Sequence, residues 1–448
     1  MRVQVPPSAQ NIFVTRTDLM NKLLLLLFTT LTFSNSYNDA LIAFESKEYK
    51  TALDAINEII QNDKGNHKTF YLASKIYYAI GDLDNANSNI IRAIESKNDS
   101  EEYRDYQKKL ENLKTNLKSA QKTFDNGYVD DALLEYSSLI NNFPDSPLPL
   151  YSIGQVYLKS NNYKMAVQNF NKAIDMNPYE KEKYNKSISS ISQRIAKAGD
   201  GKFRVKEYEE ALQLYLEAVS YNPSFVAVLY RITNVYQQMR DYDNAKIYAD
   251  KTLFYDPLHY KAMKTLGDLY YKLGDVSNSI VSYNESISTN PQYYKAYYSL
   301  SKVLNEQGKT SDAIVNLDAA LSINPKYDKA YILLGVIYSD NSKYEEAIYN
   351  FNRAIDINGK NYKLYWRLAE TYNRSEQYSQ AKDAAKKSLK IKRNYAGAFF
   401  ELGYSELYMC NKVAAIDAFN KAKKDKTYRK SSKHYLDNID QLFTQQCK

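Results

Sequence analysis

The sequence predicts an all-α solenoid, and three observations carry that expectation. The first is a repeat. Counting on from Ala211, alanine or serine recurs every 34 residues as Ala245, Ser279, Ala313, Ala347, Ala381 and Ala415, and the same step joins Ala52 to Ala86 and Ala132 to Ala166. The second is that a small residue stands twelve places before each: Ala40, Ser74, Ala120, Gly154, Gly199, Thr233, Gly267, Ser301, Gly335, Ala369 or Gly403. The third is composition. There are 13 glycines and 10 prolines in 448 residues, most prolines fall at repeat boundaries, and no strand-like alternation is present. A period of this length marks stacked supersecondary units, each burying its apolar face against its neighbours instead of in one closed core. The expectation is one elongated domain of about eleven stacked helix-turn-helix hairpins.

The elements can be justified from one frame, Tyr294 to Tyr327. Tyr297, Leu300, Ser301 and Leu304 fall at three- and four-residue spacing, the buried stripe of a first helix. Gly308 breaks it. Ala313, Leu317, Ala320 and Leu321 form the stripe of a second helix, which Asn324-Pro325 ends because proline cannot continue a helix and restricts the residue before it. Ser301 and Ala313 are small where the two helices cross. The terminating proline recurs as Pro144, Pro178, Pro223, Pro257 and Pro291, with Gly359 and Arg393 in its place later.

Two insertions interrupt the period. Ala86 to Ala132 is 46 residues and Ala166 to Ala211 is 45. Eleven residues is close to three helical turns, so such an insertion lengthens a helix without rotating its buried face. Tyr103, Tyr106, Leu110, Leu113, Leu117 and Ala120 keep helical spacing across the first insertion, and Ile188, Ile191, Ile195 and Ala198 across the second. Two long first helices are expected, about 103 to 125 and 180 to 203. They would change the curvature of the stack or stand out as a ledge for a partner; tolerated drift would leave the same pattern.

The ends of the chain carry their own signals. Met20-Asn21-Lys22 precedes Leu23 to Phe33, which holds only apolar residues and threonine, and Ser34-Asn35-Ser36 follows. That order suits an export signal cleaved near Ser36, with translation starting at Met20, and places the chain in a periplasmic or secreted compartment. An uncleaved anchor is the rival reading. The mature chain is expected to have no stable membrane span, since a span needs about 20 apolar residues. Cys410 falls in the turn of the last repeat, and Cys447 ends a terminal stretch with the stripe Tyr435, Leu436, Ile439, Leu442 and Phe443. A Cys410–Cys447 disulfide stapling a cap to the array is compatible with export, as are two unpaired thiols. The expected organisation is an export signal over 1–36, two repeats and the first insertion over 37–112, two repeats and the second insertion over 113–191, seven repeats over 192–429 and a capping helix over 430–448.

With these residues in place the chain resembles the tetratricopeptide repeat family, whose 34-residue hairpins carry small residues at the helix crossing, an aromatic on the second helix and a closing proline. Tyr136, Phe170, Tyr215, Tyr283, Phe351 and Phe419 hold the aromatic place, and the resemblance runs from Tyr37 to Arg429. It implies a right-handed α-solenoid and a binding protein, without naming a partner.

The resemblance also implies that first helices line a concave face. On that face Tyr71, Tyr151, Tyr230, Tyr298, Trp366 and Phe400 form an aromatic ladder, with Lys264 and Ile332 between them, suited to peptides, unfolded segments or sugar rings. Against this, 44 tyrosines make aromatic rows from composition alone, and many serve the core. Arg231, Asn234, Asp268, Lys302 and Arg367 are polar residues on the same helices. Lys261, Lys295, Lys329 and Lys363 begin four consecutive first helices and form a basic rim, for an acidic partner or simply for water.

Other chemistries find little support. His67, His259 and His434 are isolated, and no metal-ligand pair, activated nucleophile or glycine-rich phosphate loop occurs, so no cofactor, metal or enzyme activity is expected. The net charge of +8 arises from 60 basic and 52 acidic residues and is too mixed for a nucleic-acid footprint. The reading is an exported, non-enzymatic adaptor that binds a partner segment in its groove. A carbohydrate-binding or polysaccharide-export accessory using the same aromatics is the alternative, and a cytosolic scaffold with a misread amino terminus the second.

Overall fold

Consecutive residues with the stripes described above form consecutive helices throughout. The computed structural model describes residues 37–62 and 65–447; the expected export signal over 1–36 and the start at Met20 lie outside the described residues. Twenty-four α-helices and no strand occur among them. They pair in chain order: α1 Tyr37–Glu45 and α2 Tyr49–Gln61, α3 His67–Ala79 and α4 Leu83–Ser96, α5 Glu101–Asp125 and α6 Val129–Asn142, α7 Leu148–Lys159 and α8 Tyr163–Met176. Then come α9 Lys181–Arg204 and α10 Tyr208–Tyr221, α11 Val226–Met239 and α12 Tyr242–Tyr255, α13 Tyr260–Lys272 and α14 Val276–Thr289, α15 Tyr294–Glu306 and α16 Thr310–Ile323. The last are α17 Asp328–Asp340 and α18 Tyr344–Ile357, α19 Tyr362–Arg374 and α20 Tyr378–Ile391, α21 Ala396–Tyr408 and α22 Lys412–Ala422, with α23 Arg429–Asp437 and α24 Ile439–Gln446 behind them.

The architecture is an α-solenoid. The chain divides into two compact units, one comprising residues up to Ala198 with Glu217–Pro223, the other Gly199–Leu216 with Ser224 onward. The division falls inside α9, the long helix of the second insertion. Within the second unit, consecutive first helices touch one another, as α13 does α15 and α15 does α17.

The helices of a hairpin approach closely where a residue of the first meets one sixteen places on in the second. An ideal Cβ on Gly335 of α17 would stand 2.6 Å from the ring of Phe351 on α18, and one on Gly267 of α13 would stand 2.6 Å from the ring of Tyr283 on α14. Only a hydrogen at those places lets a large ring lie flat on the first helix. The two positions, sixteen residues apart, compensate each other along the chain. Glycine stands opposite Phe170, Tyr215, Tyr283, Phe351 and Phe419, whereas the equivalent places hold Ser301 with Leu317, Ala369 with Ala385, Thr233 with Ala249, Ser74 with Ile90 and Ala40 with Ile56, all buried. Ala120 with Tyr136 is the one frame that departs from the rule.

Turns and junctions are local chemistry. The first helix ends in a left-handed residue at the same place of every frame, glycine at Gly81, Gly127, Gly274 and Gly308 and other residues elsewhere, among them Glu376 and Cys410. Three second helices start on a two-bond cap: Asp241 accepts the Asn244 N–H at 3.1 Å, while the Asn244 amide donates to the other Asp241 oxygen at 2.8 Å. Asp275 with Asn278 and Asp82 with Asn85 repeat it. At the closing Asn-Pro, the Asn290 side chain accepts the Gln292 N–H at 3.0 Å and Asn324 that of Lys326 at 3.2 Å, turning the chain into the next repeat.

The carboxyl-terminal cap differs from the single helix expected over 430–448. It is two short helices, α23 and α24, broken at Asn438, whose amide donates to the His434 carbonyl at 2.8 Å. The break brings Ile439 into the core with Leu407, Ala415 and Phe419, while Leu442 and Phe443 pack against it. Cys410 and Cys447 form a disulfide with a Cα separation of 5.6 Å, joining the end of α24 to the last hairpin turn.

Two outcomes follow from these contacts. Alanine normally gains about 1 kcal/mol over glycine inside a helix. Gly335→Ala is nevertheless expected to cost about 1–3 kcal/mol, read as a lower urea midpoint; a raised midpoint would show that the Phe351 ring yields freely. Cys447→Ser is expected to remove about 2–4 kcal/mol, seen as faster amide exchange confined to residues 429–447. Unchanged exchange there would mean that apolar packing alone holds the cap.

Candidate functional site

The first-helix face of the second unit gathers most of the candidate residues. Successive 34-residue frames bring α11, α13, α15, α17, α19 and α21 to equivalent places, so Tyr230, Lys264, Tyr298, Ile332, Trp366 and Phe400 occupy corresponding rungs. All six are half-buried.

The aromatic rungs are not an open row. Each ring meets an aromatic from the start of the following hairpin: Tyr230 meets His259 at 4.8 Å between centroids, Tyr298 meets Tyr327 at 5.3 Å, Trp366 meets Tyr395 at 5.6 Å and Phe400 meets Tyr428 at 5.6 Å. A second tier lies beside them, with Tyr260 on Tyr293, Tyr294 on Tyr327 and Tyr362 on Tyr395. The first unit repeats the arrangement, Tyr71 lying on Tyr103 at 4.6 Å and Tyr151 on Tyr184 at 5.2 Å. Spacing in the sequence places a rung on the correct face but does not show what crosses from the next repeat. Half of each ring therefore serves cohesion between hairpins.

Polar residues between the rungs are tied together. Arg231 Nε lies 3.2 Å from Asp200, which also accepts the Tyr215 hydroxyl at 2.7 Å. One step on, Lys264 Nζ is 2.5 Å from Asp268, which accepts the Tyr283 hydroxyl at 2.8 Å. The Tyr230 and Thr265 hydroxyls are 3.1 Å apart. Lys302 lies over the Tyr271 ring at 4.9 Å, and the Tyr271 hydroxyl donates to Glu306. Arg367 pairs with Glu370 at 2.8 Å and stacks on Trp366 at 4.5 Å. Asn234 is half-buried beside Tyr230, where its amide and Thr265 partly offset the rise that burial imposes on the Tyr230 hydroxyl pKa.

These residues leave a cavity of about 450 Å³ whose walls include Gln238, Asp268, Tyr271, Tyr298, Ser299 and Lys302. An amide, a hydroxyl, an ammonium and a carboxylate thus converge beside a tyrosine ring. The basic rim is separate: Lys261, Lys295, Lys329 and Lys363 are each the second residue of a first helix and all are exposed. Helix N-termini add partial positive charge to theirs.

The histidines have structural partners. His259 Nδ1 accepts the Ala262 N–H at 3.0 Å and caps α13, and His67 Nδ1 lies 2.8 Å from the Tyr103 hydroxyl. Among the described residues no group of His, Cys, Asp and Glu is arranged to hold a metal ion.

Sequence reasoning missed Glu401, which α21 turns inward. Burial pushes its carboxyl pKa up to about 8, opposed by the Asn373 amide, which donates to Glu401 Oε2 at 2.9 Å, and by Arg367. The available signal was a glutamate at the frame place held by Arg231 and Arg367. Because the folded pKa exceeds the ordinary 4.5, the folded chain binds the proton more tightly, and stability falls as pH rises from about 4.5 to 8. Glu401→Gln is therefore expected to raise the melting temperature at pH 9 and change it little at pH 4. An equal change at both pH values would show that the carboxyl ionises freely.

Comparison with known proteins agrees with the repeat. Residues 149–180 and 230–294 match models described as tetratricopeptide repeat, and residues 275–397 match the tetratricopeptide repeat protein 21 C-terminal ARM domain. No curated protein matches the chain. Similar solved structures include a tetratricopeptide repeat protein from Parabacteroides merdae, 18% identical over 56% of this chain and 98% of that one, with a TM-score of 0.41. Yeast Tom70 is 16% identical over 95% and 96%, TM-score 0.38, and MamA is 24% identical over 36% and 95%, TM-score 0.34. Over the matched segments this chain is built of tetratricopeptide repeats.

Proposed function

We propose that this protein is an exported, non-enzymatic scaffold that holds an extended segment of a partner protein along the first-helix face of its second unit. The cavity beside Tyr298 carries the reading. Gln238 and Ser299 can exchange hydrogen bonds with a peptide backbone, while Lys302 and Asp268 orient side chains of either sign. The carboxylates of this face are engaged with Lys, Arg or Tyr partners, an arrangement that fixes a binding surface and leaves no free base poised against a nucleophile in it. Export rests on the apolar run Leu23 to Phe33 and fits the disulfide of the cap. No helix among the described residues is long and apolar enough to cross a membrane.

A peptide suits this face better than a sugar polymer. Stacking on a glycan needs a free ring face, and here the rings are half-covered by the next hairpin, with Trp366 Nε1 buried.

The test is site-specific photo-cross-linking of the full chain in an envelope extract, with the cross-linker at Lys302 or, as control, at Val315, which is exposed on the second helix α16. One protein captured from position 302 and absent from 315 is expected. Ser299→Trp, which fills the cavity, is expected to cut that capture about tenfold, the loss typical of blocking a central contact. Capture from 315 alone would move binding to the second helices and sink the proposal.

A further inference from the structure

The charge of the chain is concentrated in its last two repeats. Residues 378–433 hold fourteen lysines and arginines and five acidic residues, a net +9 against +8 for the whole sequence. The excess sits where second helices end and the chain turns to the next hairpin. The 34-residue step makes Lys387 and Lys421, Lys390 and Lys424, and Lys392 and Lys426 equivalent, so α20, α22 and the turns after them repeat the same basic corner in adjacent hairpins. Within the last hairpin, Lys421 of α22 lies over the ring of Phe399 of α21 at 5.4 Å.

These charges are free to act outward. Lys386, Lys387, Lys390, Lys423, Lys424 and Lys426 are exposed and form no ion pair among the described residues. Lys382 and Lys421, by contrast, are held by Glu406 and Asp417. Such spacing of like charge costs self-repulsion, and a facing anion would remove it.

We propose that this basic corner docks the protein on an anionic lipid surface. Two features favour a bilayer over a nucleic acid. The charges are predominantly lysine, mobile point charges without the planar fork that reads phosphates in fixed geometry. The neighbouring rings are engaged, Phe399 beneath Lys421 and Tyr395 between Tyr362 and Trp366, so no free platform exists on which bases would stack. Ile391 is 43% exposed between Lys390 and Lys392 and supplies an aliphatic side chain at the centre of the charge. Each lysine held near an anionic leaflet adds attraction that fades within a Debye length. The inference is independent of the partner-segment reading, which concerns a different face.

The test is co-sedimentation of the full chain with vesicles of phosphatidylcholine alone or with about one third phosphatidylglycerol, at about 0.1 M salt. The neutral vesicles measure any uptake through the apolar Leu23 to Phe33 run. Partition at least about tenfold stronger into anionic vesicles is expected, falling to the neutral level near 0.5 M salt. The quadruple variant Lys387→Glu, Lys390→Glu, Lys424→Glu, Lys426→Glu should lose the difference while keeping the wild-type melting temperature, and four arginines at the same places should retain it. Equal partition into both vesicles, or anionic binding unchanged in the glutamate variant, would overturn the proposal. So would polyglutamate binding tighter than the vesicles at matched charge, which would assign the corner to an acidic polypeptide.

Discussion

Everything in this chain depends on how closely two helices of one hairpin can approach. The approach is set at a single crossing, where residue eight of a frame meets residue twenty-four. Interiors pack near crystal density, so a large residue at one member of the crossing requires a small one at the other. A ring opposite glycine, as at Gly335 and Phe351, and leucine opposite serine, as at Leu317 and Ser301, are two solutions of one constraint. A hairpin with a large side chain on both members would splay, and its neighbours would lose the flat face they stack upon.

Stacking has its own device, and it explains the abundance of tyrosine. The residue before a first helix, such as His259, Tyr327 or Tyr395, is wedged against the preceding repeat's fifth residue. Tyrosine serves both crossing and junction because its ring packs while its hydroxyl reaches outward. The Tyr283 ring lies on Gly267 and its hydroxyl donates to Asp268. The same carboxylate holds Lys264, so core packing and the orientation of a surface charge are one network. Burial raises the phenol pKa of Tyr283 and the Asp268 charge raises it further, which keeps the hydroxyl a donor.

The repeat made the fold legible. Helical spacing through the insertions placed long helices over about 103–125 and 180–203, and they run from 101 to 125 and from 181 to 204. What a single frame cannot display was less accessible. The compensation between residues sixteen apart is written in the sequence, but only the crossing geometry shows that these two residues touch. The break at Asn438 was hidden because Tyr435, Leu436, Ile439, Leu442 and Phe443 keep helical spacing across it. The candidate rungs were placed on one face, while their cover by the following hairpin was invisible because nothing in the frame distinguishes a wedge from a free ring. Whole-chain charge concealed the basic corner, since the average over 448 residues cancels what the last two repeats concentrate.

The division of labour within a frame says where specificity can reside. Places eight, twenty and twenty-four are bound to the crossing, and places one, five and thirty-four to the junction. Places six and nine of the first helix differ in residue type from frame to frame: Arg231, Thr265, Ser299, Leu333, Arg367 and Glu401 at the sixth, Asn234, Asp268, Lys302, Val336, Glu370 and Tyr404 at the ninth. Along this face polar pairs give way to apolar Leu333 and Val336, then to the Arg367 and Glu370 pair. A segment laid across it meets polar, apolar and charged ground in that order. The order is a property of this chain and not of the repeat, which any similar array shares. Under the proposed function, recognition would lie in these varied residues, held in place by residues whose size the crossing constrains.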